Sequence, residues 1–312
     1  MKRSYASIAN LLTASATAGF LLSRIPSRNY LSAGQVAIIT GGSRGLGLAL
    51  AHRFGKAGVK LVLAARGEEE LKRALDTLLG QGSVQDRSDV LLFPCDLRVP
   101  AEATRLISAA LLRFGRLDIL INNAGIIVVG PAENQPLQAY RDAMDVDFFA
   151  AVQCIYAALP EFLRQRSGAI VNIASIGGKL AVPHLLPYVA AKFALTGFSE
   201  GLHAELRNRG VRVTTVCPGL MRTGGDVHAQ FRGQIRKEKA WFQLAARTPL
   251  VAAGVTHAAN KIFDAVDQGR AEITITPQAW LAARFAGLAP ETTQQLAALL
   301  HAHLLPFPVV RR

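Results

Sequence analysis

Gln35-Val36-Ala37-Ile38-Ile39-Thr40-Gly41-Gly42-Ser43-Arg44-Gly45-Leu46-Gly47-Leu48-Ala49-Leu50 decides the fold of this chain. An apolar run ends at Thr40, glycines follow at 41, 45 and 47, and a helical pattern opens behind them. Such a strand–turn–helix lets the backbone come close to an anion at the helix N-terminus and lets helix and strand pack tightly. The spacing is Gly-x-x-x-Gly-x-Gly rather than Gly-x-Gly-x-x-Gly.

Downstream, short apolar runs alternate with helical stretches, which predicts βαβ units on a parallel sheet. Strands are expected at Val36–Thr40, Lys60–Ala65, Val90–Pro94, Leu117–Asn122, Ala169–Ser175, Val211–Cys217 and Ile273–Thr276. Helices are expected at Leu46–Lys56, Glu68–Leu79, Ala101–Phe114, Asp147–Gln165 and Tyr188–Asn208. The continuous Val/Ile/Leu content of most strands fits burial on both faces. The reading is α/β, a doubly wound, Rossmann-type parallel seven-stranded sheet. It divides into an N-terminal segment (1–33), a catalytic domain (34–276) and a C-terminal helical tail (277–312) whose apolar-periodic stretches flank Pro290.

Composition narrows the function classes. Half of the 312 residues are apolar, enough for a large core. Cys95, Cys154 and Cys217 sit in apolar stretches without metal spacing, so they read as buried thiols, with no metal site expected. The net charge is +13, and residues 1–67 hold nine basic residues and no acid. Basic residues are neither interleaved with aromatics nor set on a nucleic-acid reader module, so no nucleic-acid partner is expected. An anionic cofactor and an anionic membrane surface account for the charge better. Ser4–Ser23 carries no charge and mixes Leu11, Leu12, Phe20, Leu21 and Leu22 with polar residues. Three readings of it compete: a membrane-contacting segment, an organellar or secretory leader, and a helix packed on the domain. They leave the location cytoplasmic or at a cytoplasmic membrane face, with organellar targeting open.

The cofactor preference is also written locally. An NAD site places Asp or Glu at the end of the second strand, where this chain has Ala65 followed by Arg66, with Arg44 in the turn. Two guanidiniums suit a 2′-phosphate, so NADP(H) is expected. The reacting groups follow. Tyr188 and Lys192 stand one helical turn apart, and Ser175 lies thirteen residues before the tyrosine. A neighbouring ammonium is expected to lower the phenol's pKa, and a serine hydroxyl can orient a carbonyl. His184, among Leu180, Val182, Leu185 and Leu186, suggests an apolar substrate lip, and Trp241 and Phe242 suit either a mobile lid helix or simple packing.

Taken together, Thr40-Gly41-x-x-x-Gly45-x-Gly47, Asn122-Asn123-Ala124-Gly125, Ser175, Tyr188-x-x-x-Lys192 and Pro218-Gly219 followed by Thr223 resemble the short-chain dehydrogenases/reductases over residues 34–276. The resemblance implies reversible carbonyl–alcohol chemistry on a small molecule, with Ser175, Tyr188 and Lys192 catalytic. It implies cofactor contacts from Thr40, Gly41, Ser43, Arg44, Gly45, Leu46, Gly47, Arg66, Asp96, Leu97, Asn123, Ala124, Gly125, Pro218, Gly219 and Thr223, besides Tyr188 and Lys192. Asp96 would meet the adenine ring, Asn122 would help line the adenosine-ribose side and steady the central strand, and Lys192 would hold the nicotinamide ribose. It also implies a dimer or tetramer built on the two long helices. Asp147 departs from the pattern, because the family places an asparagine there, 28 residues before the serine, to complete a proton relay. A carboxylate can hold a relay water and favours a charged lysine, but when ionised it cannot donate a hydrogen bond. The rival reading is a non-catalytic NADPH-binding or membrane-associated regulatory protein on the same fold.

Overall fold

The computed structural model describes residues 29–222, 228–247 and 252–309. The segment 4–23 and Thr223 lie outside them. Seven parallel strands form one sheet: β1 (Val36–Thr40), β2 (Lys60–Ala65), β3 (Val90–Pro94), β4 (Ile119–Asn122), β5 (Gly168–Ile173), β6 (Val211–Cys217) and β7 (Glu272–Thr274). Their spatial order is β3-β2-β1-β4-β5-β6-β7. The chain therefore winds outward twice from β1, and the crevice between β1 and β4 is the switch point at which such sheets bind ligands. In register, Ala37 faces Leu61 of β2 on one side and Ile119 of β4 on the other.

Alternation along β1 shows why the strand must be apolar throughout. Ala37 and Ile39 enter one core with Leu50 and Phe54 of helix α1 (Gly45–Gly55) and Leu75 of α2 (Glu68–Gly80). Val36 and Ile38 enter the other, with Leu106 of α3 (Pro100–Phe114) and Phe162 of a later helix. Cys95 and Cys154 lie in that second core, while Cys217 ends β6 in a smaller cluster; all three are free and buried. Burial pushes each thiol up to about 12.

The sheet edges depart slightly from the expected bounds. β5 stops at Ile173, so Ser175 lies beyond the strand and caps a short turn, Ile176–Gly178, accepting from the Gly177 N–H at 3.0 Å. The larger departure precedes β5. One continuous helical stretch runs through α4 (Leu137–Met144), a π turn (Asp145–Phe149) and α5 (Ala150–Gln165), where the sequence pattern marked only its second half. The stretch is apolar and long enough to cross a membrane, but Cys154, Ile155, Ala158 and Phe162 pack its inner face into the core. Helix α6 (Leu186–Leu206) starts on Pro187 in its first turn. Beyond β6 come α7 (Ile235–Arg247), α8 (Val255–Asp267), α9 (Pro277–Leu288) and α10 (Pro290–Leu304). Phe54 of α1 meets Phe263 of α8 edge to face at 5.0 Å, which ties the C-terminal half back onto the first βα unit. The chain joins this body from Tyr30, whose N–H donates to the Asp267 carbonyl at 3.0 Å.

Candidate active site

A cleft of about 860 Å3 runs along the carboxyl edge of the sheet. At one end it is lined by Gly41, Ser43, Arg44, Gly45 and Leu46 of the first turn, then by Arg66, Asp96 and Leu97 beyond β2 and β3. Asn123, Ala124 and Gly125 form its floor. At the other end stand Asp147, Ser175, Tyr188, Lys192, Pro218 and Gly219.

The turn is built from backbone. The Thr40 hydroxyl accepts from the N–H groups of Asn123 and Ala124 at 2.9 and 3.0 Å, and the Asn123 amide donates to the Thr40 carbonyl at 2.9 Å. Thr40 therefore clamps β1 to the floor from behind rather than lining the cleft. A Cβ on Gly47 would sit 2.1 Å from the Gly41 carbonyl oxygen, so only glycine lets α1 start this close to the strand end. Asn122, by contrast, turns into the core and donates to Asn172 at 2.8 Å, whose own amide donates to Ser199.

Charge at this end is exposed. Arg44 pairs with Glu70 at 3.2 Å, both about half open to solvent. Glu70 also lines the cleft, and the sequence reading missed it because it sits in the first turn of α2 instead of at the end of β2. Asp96 is gripped by the Arg98 guanidinium through Nε at 3.0 and 2.9 Å, and that contact holds its carboxyl below the usual range. Arg66 makes no ion pair among the described residues.

Charge at the opposite end is buried. Lys192 donates to the Ile173 carbonyl at 3.0 Å and pairs with Asp147 at 3.3 Å, and both side chains are almost wholly enclosed. The Asp147 Oδ1 also accepts from the Ile126 N–H at 3.1 Å, while Oδ2 has no partner among the described residues. Burial pushes the Asp147 carboxyl up to about 6, against the opposing pull of Lys192 and the Ile126 N–H. A Cβ on Gly125 would lie 2.5 Å from Asp147 Oδ1, so that glycine makes room for the carboxylate. The π turn carries Asp147 inward, a common use of such insertions.

The Lys192 ammonium lies 5.6 Å from the Tyr188 ring centre. The expected lowering of the phenol pKa does not win. Burial raises it above the ordinary tyrosine value, and Lys192 and the Ser175 hydroxyl offset that only in part. The phenol is therefore held as a neutral donor.

His184 does not line the cleft. It is buried at φ +65°, and its Nδ1 lies 2.9 Å from Glu238 Oε2 on α7. The same oxygen accepts from Trp241 Nε1 at 2.7 Å. Phe242 packs with Val129, Leu185 and Val189, so α7 is docked onto the start of α6. Sequence reading missed Glu238, since a charged residue in a basic stretch reads as solvated. It also missed Ile126, Ile127 and His228, which line the cleft.

The glycine cradle, the cleft's dimensions and the convergent lysine fit a dinucleotide. The fold and site thus define the doubly wound α/β class, with a dinucleotide-sized cleft at the switch point of the sheet. A family model described as short chain dehydrogenase matches residues 35–231. The dehydrogenase/reductase SDR family protein 7-like of Anopheles gambiae is 37% identical over 196 residues, which are 63% of this chain and 62% of that protein's own length. A short chain dehydrogenase/reductase from Burkholderia phymatum, solved in complex with NAD, superposes with a TM-score of 0.76 at 28% identity, covering 89% of this chain and 99% of that one. An actinorhodin polyketide ketoreductase variant, solved with NADPH, gives a TM-score of 0.69 at 29% identity, covering 80% of this chain and 99% of that one. The chain belongs to the short-chain dehydrogenase/reductase family, whose members are oxidoreductases with an NAD(P)-binding fold.

Proposed function

We propose that the protein reduces the carbonyl of an apolar small molecule at the expense of NADPH, with Tyr188, Ser175 and Lys192 as catalytic residues. The observation that carries this reading is the convergence in the cleft of the half-buried Tyr188 phenol, Ser175 and Lys192, the lysine one helical turn from the tyrosine. When bound, NADPH supplies the hydride. Tyr188 donates the proton to the developing alkoxide, and Ser175 orients the carbonyl oxygen by a hydrogen bond. Lys192 stabilises the phenolate left behind, and Asp147 and the Ile173 carbonyl hold its ammonium in place. A phenol kept protonated by burial suits the reducing direction.

Preference for NADPH rests on Arg66, free of ion pairs among the described residues at the end of β2, assisted by Arg44. Glu70 tempers Arg44. An apolar substrate is supported by Ile126, Ile127, Val146 and Met221, which line the cleft. Assembly into a dimer or tetramer would use α5 and α6, on which Tyr156 and Phe193 stand exposed.

The test is Tyr188→Phe assayed with a panel of apolar ketones. Turnover should fall by at least ~1000-fold (about 4 kcal/mol of barrier) while NADPH affinity stays within a few-fold. Equal loss of binding and turnover would remove Tyr188 from the proton-donor role. Tight NADPH binding by the wild type without turnover of any ketone would favour the regulatory reading.

A further inference from the structure

Helix α10 buries none of its residues, yet four leucines lie along it. Leu296, Leu299, Leu300 and Leu304 recur at helical spacing and all are exposed. On α9, Leu281 and Leu288 are exposed as well, Leu288 to 87%. Isolated apolar side chains on a surface mean little, but a contiguous set on two adjoining helices marks a contact face. The hairpin is also anchored. Gln234 donates to the Phe307 carbonyl at 2.8 Å, and Asn134 exchanges two hydrogen bonds with the Val309 backbone. The exposed face is therefore presented by a fixed element.

Beside it lies a second cavity of about 390 Å3, which brings together Lys261, Arg270, Arg284 and Trp280. Its acids are Asp264 and Glu272, and Glu272 is already paired with Lys179 at 2.7 Å. Lys261 and Arg284 have no acid partner among the described residues, and Arg284 lies 5.2 Å over the Trp280 ring. An apolar face rimmed by a tryptophan and unpaired cations is the arrangement of an interfacial membrane contact.

We propose that the α9–α10 hairpin is a docking surface for an anionic phospholipid bilayer. In this arrangement the leucine face enters the acyl boundary, and Lys261, Arg270 and Arg284 receive the headgroup phosphates. Charge selects this occupant over the alternatives. Residues 1–28 of the same chain contain Lys2, Arg3, Arg24 and Arg28 and no acid, so they carry the same sign as the groove. A second copy would bring its own positive rim against the first. An anionic leaflet complements both.

The experiment is flotation of the full chain with phosphatidylcholine vesicles, with and without phosphatidylglycerol. The wild type should float with the anionic vesicles. Leu296→Gln/Leu299→Gln/Leu300→Gln should lower the bound fraction at least tenfold, and Lys261→Ala/Arg284→Ala should lower it several-fold. The unfolding midpoint should be unchanged, since every substituted side chain is on the surface. Brominated lipid should quench fluorescence in the wild type but not the residual signal of Trp280→Phe. Unchanged flotation of the leucine variant would overturn the proposal and place any membrane contact elsewhere in the chain. Equal binding to neutral vesicles would overturn the headgroup assignment. Failure of the wild type to float would overturn the proposal as a whole, and a dimer that the leucine variant dissociates would then make the face a contact between copies.

Discussion

The two ends of the cleft are built on opposite electrostatic plans. At the nucleotide end the charges of Arg44, Glu70 and Arg98 are largely open to water, and the fixed parts are backbone and glycine. At the opposite end Asp147 and Lys192 are enclosed, as are His184 and Glu238 outside the cleft lining, and the polar side chains themselves form the scaffold. Exposed pairs are screened and worth little, whereas breaking an enclosed pair strands a charge in a poor solvent. Substitutions at the first end should therefore adjust affinity, and those at the second should alter folding and titration.

The sharpest attempt to break that contrast is Glu238→Ala. It leaves His184 Nδ1 and Trp241 Nε1 without their shared acceptor, and chemical denaturation should show a loss of about 4 kcal/mol, the cost of two donors left unsatisfied. A loss below ~1 kcal/mol would mean that α7 is held by Phe242 and its neighbours alone.

Asp147→Asn comes next. Folding raises the Asp147 carboxyl from an ordinary 3.8 to about 6, so the native state holds the proton more tightly. The wild type should then lose stability relative to Asp147→Asn as pH rises from about 4 to about 6, by roughly 3 kcal/mol, and no more above that. Thermal unfolding of both proteins across this range measures it. A pH-independent difference would show that Lys192 offsets the burial of the carboxylate in full. The turnover of the wild type should also show an acid limb near pH 6 that the asparagine variant lacks.

At the nucleotide end the effects shrink. Arg66→Ala should shift the NADPH-to-NADH preference by about 10- to 100-fold, the worth of one charge-assisted contact. No shift in parallel cofactor titrations would remove Arg66 from the phosphate site. Glu70→Gln, which frees Arg44, should tighten NADPH by only a few-fold, and that gain should fade with added salt.

The contrast also explains what the sequence disclosed. The turn from Thr40 to Gly47 is read within eight residues, and Tyr188 and Lys192 share one helical turn, so both were legible. The core strands were legible too, because burial on both faces leaves an unbroken apolar run. The nearness of Asp147 to Lys192 was legible only through the family resemblance, and its Ile126 partner was not legible at all, since that N–H lies 21 positions away and meets it through the π turn. Glu238 was hidden for the same reason, 54 positions from His184. Glu70 was hidden because a ribose-binding carboxylate is expected at the strand end, while the helix that follows swings its first turn over the cleft. The direction of the Tyr188 shift depends on how much protein surrounds the phenol, which spacing cannot report.

The three enclosed thiols carry a practical consequence. With their pKa values held near 12, they offer almost no thiolate at neutral pH in the native state, while an unfolded cysteine near its ordinary value offers a few per cent. Alkylation of the native protein thus proceeds through opening events, and its rate is a clock for them. Cys95 and Cys154 time the opening of the one core they share, and Cys217 at the end of β6 times that of a second cluster, without any engineered label.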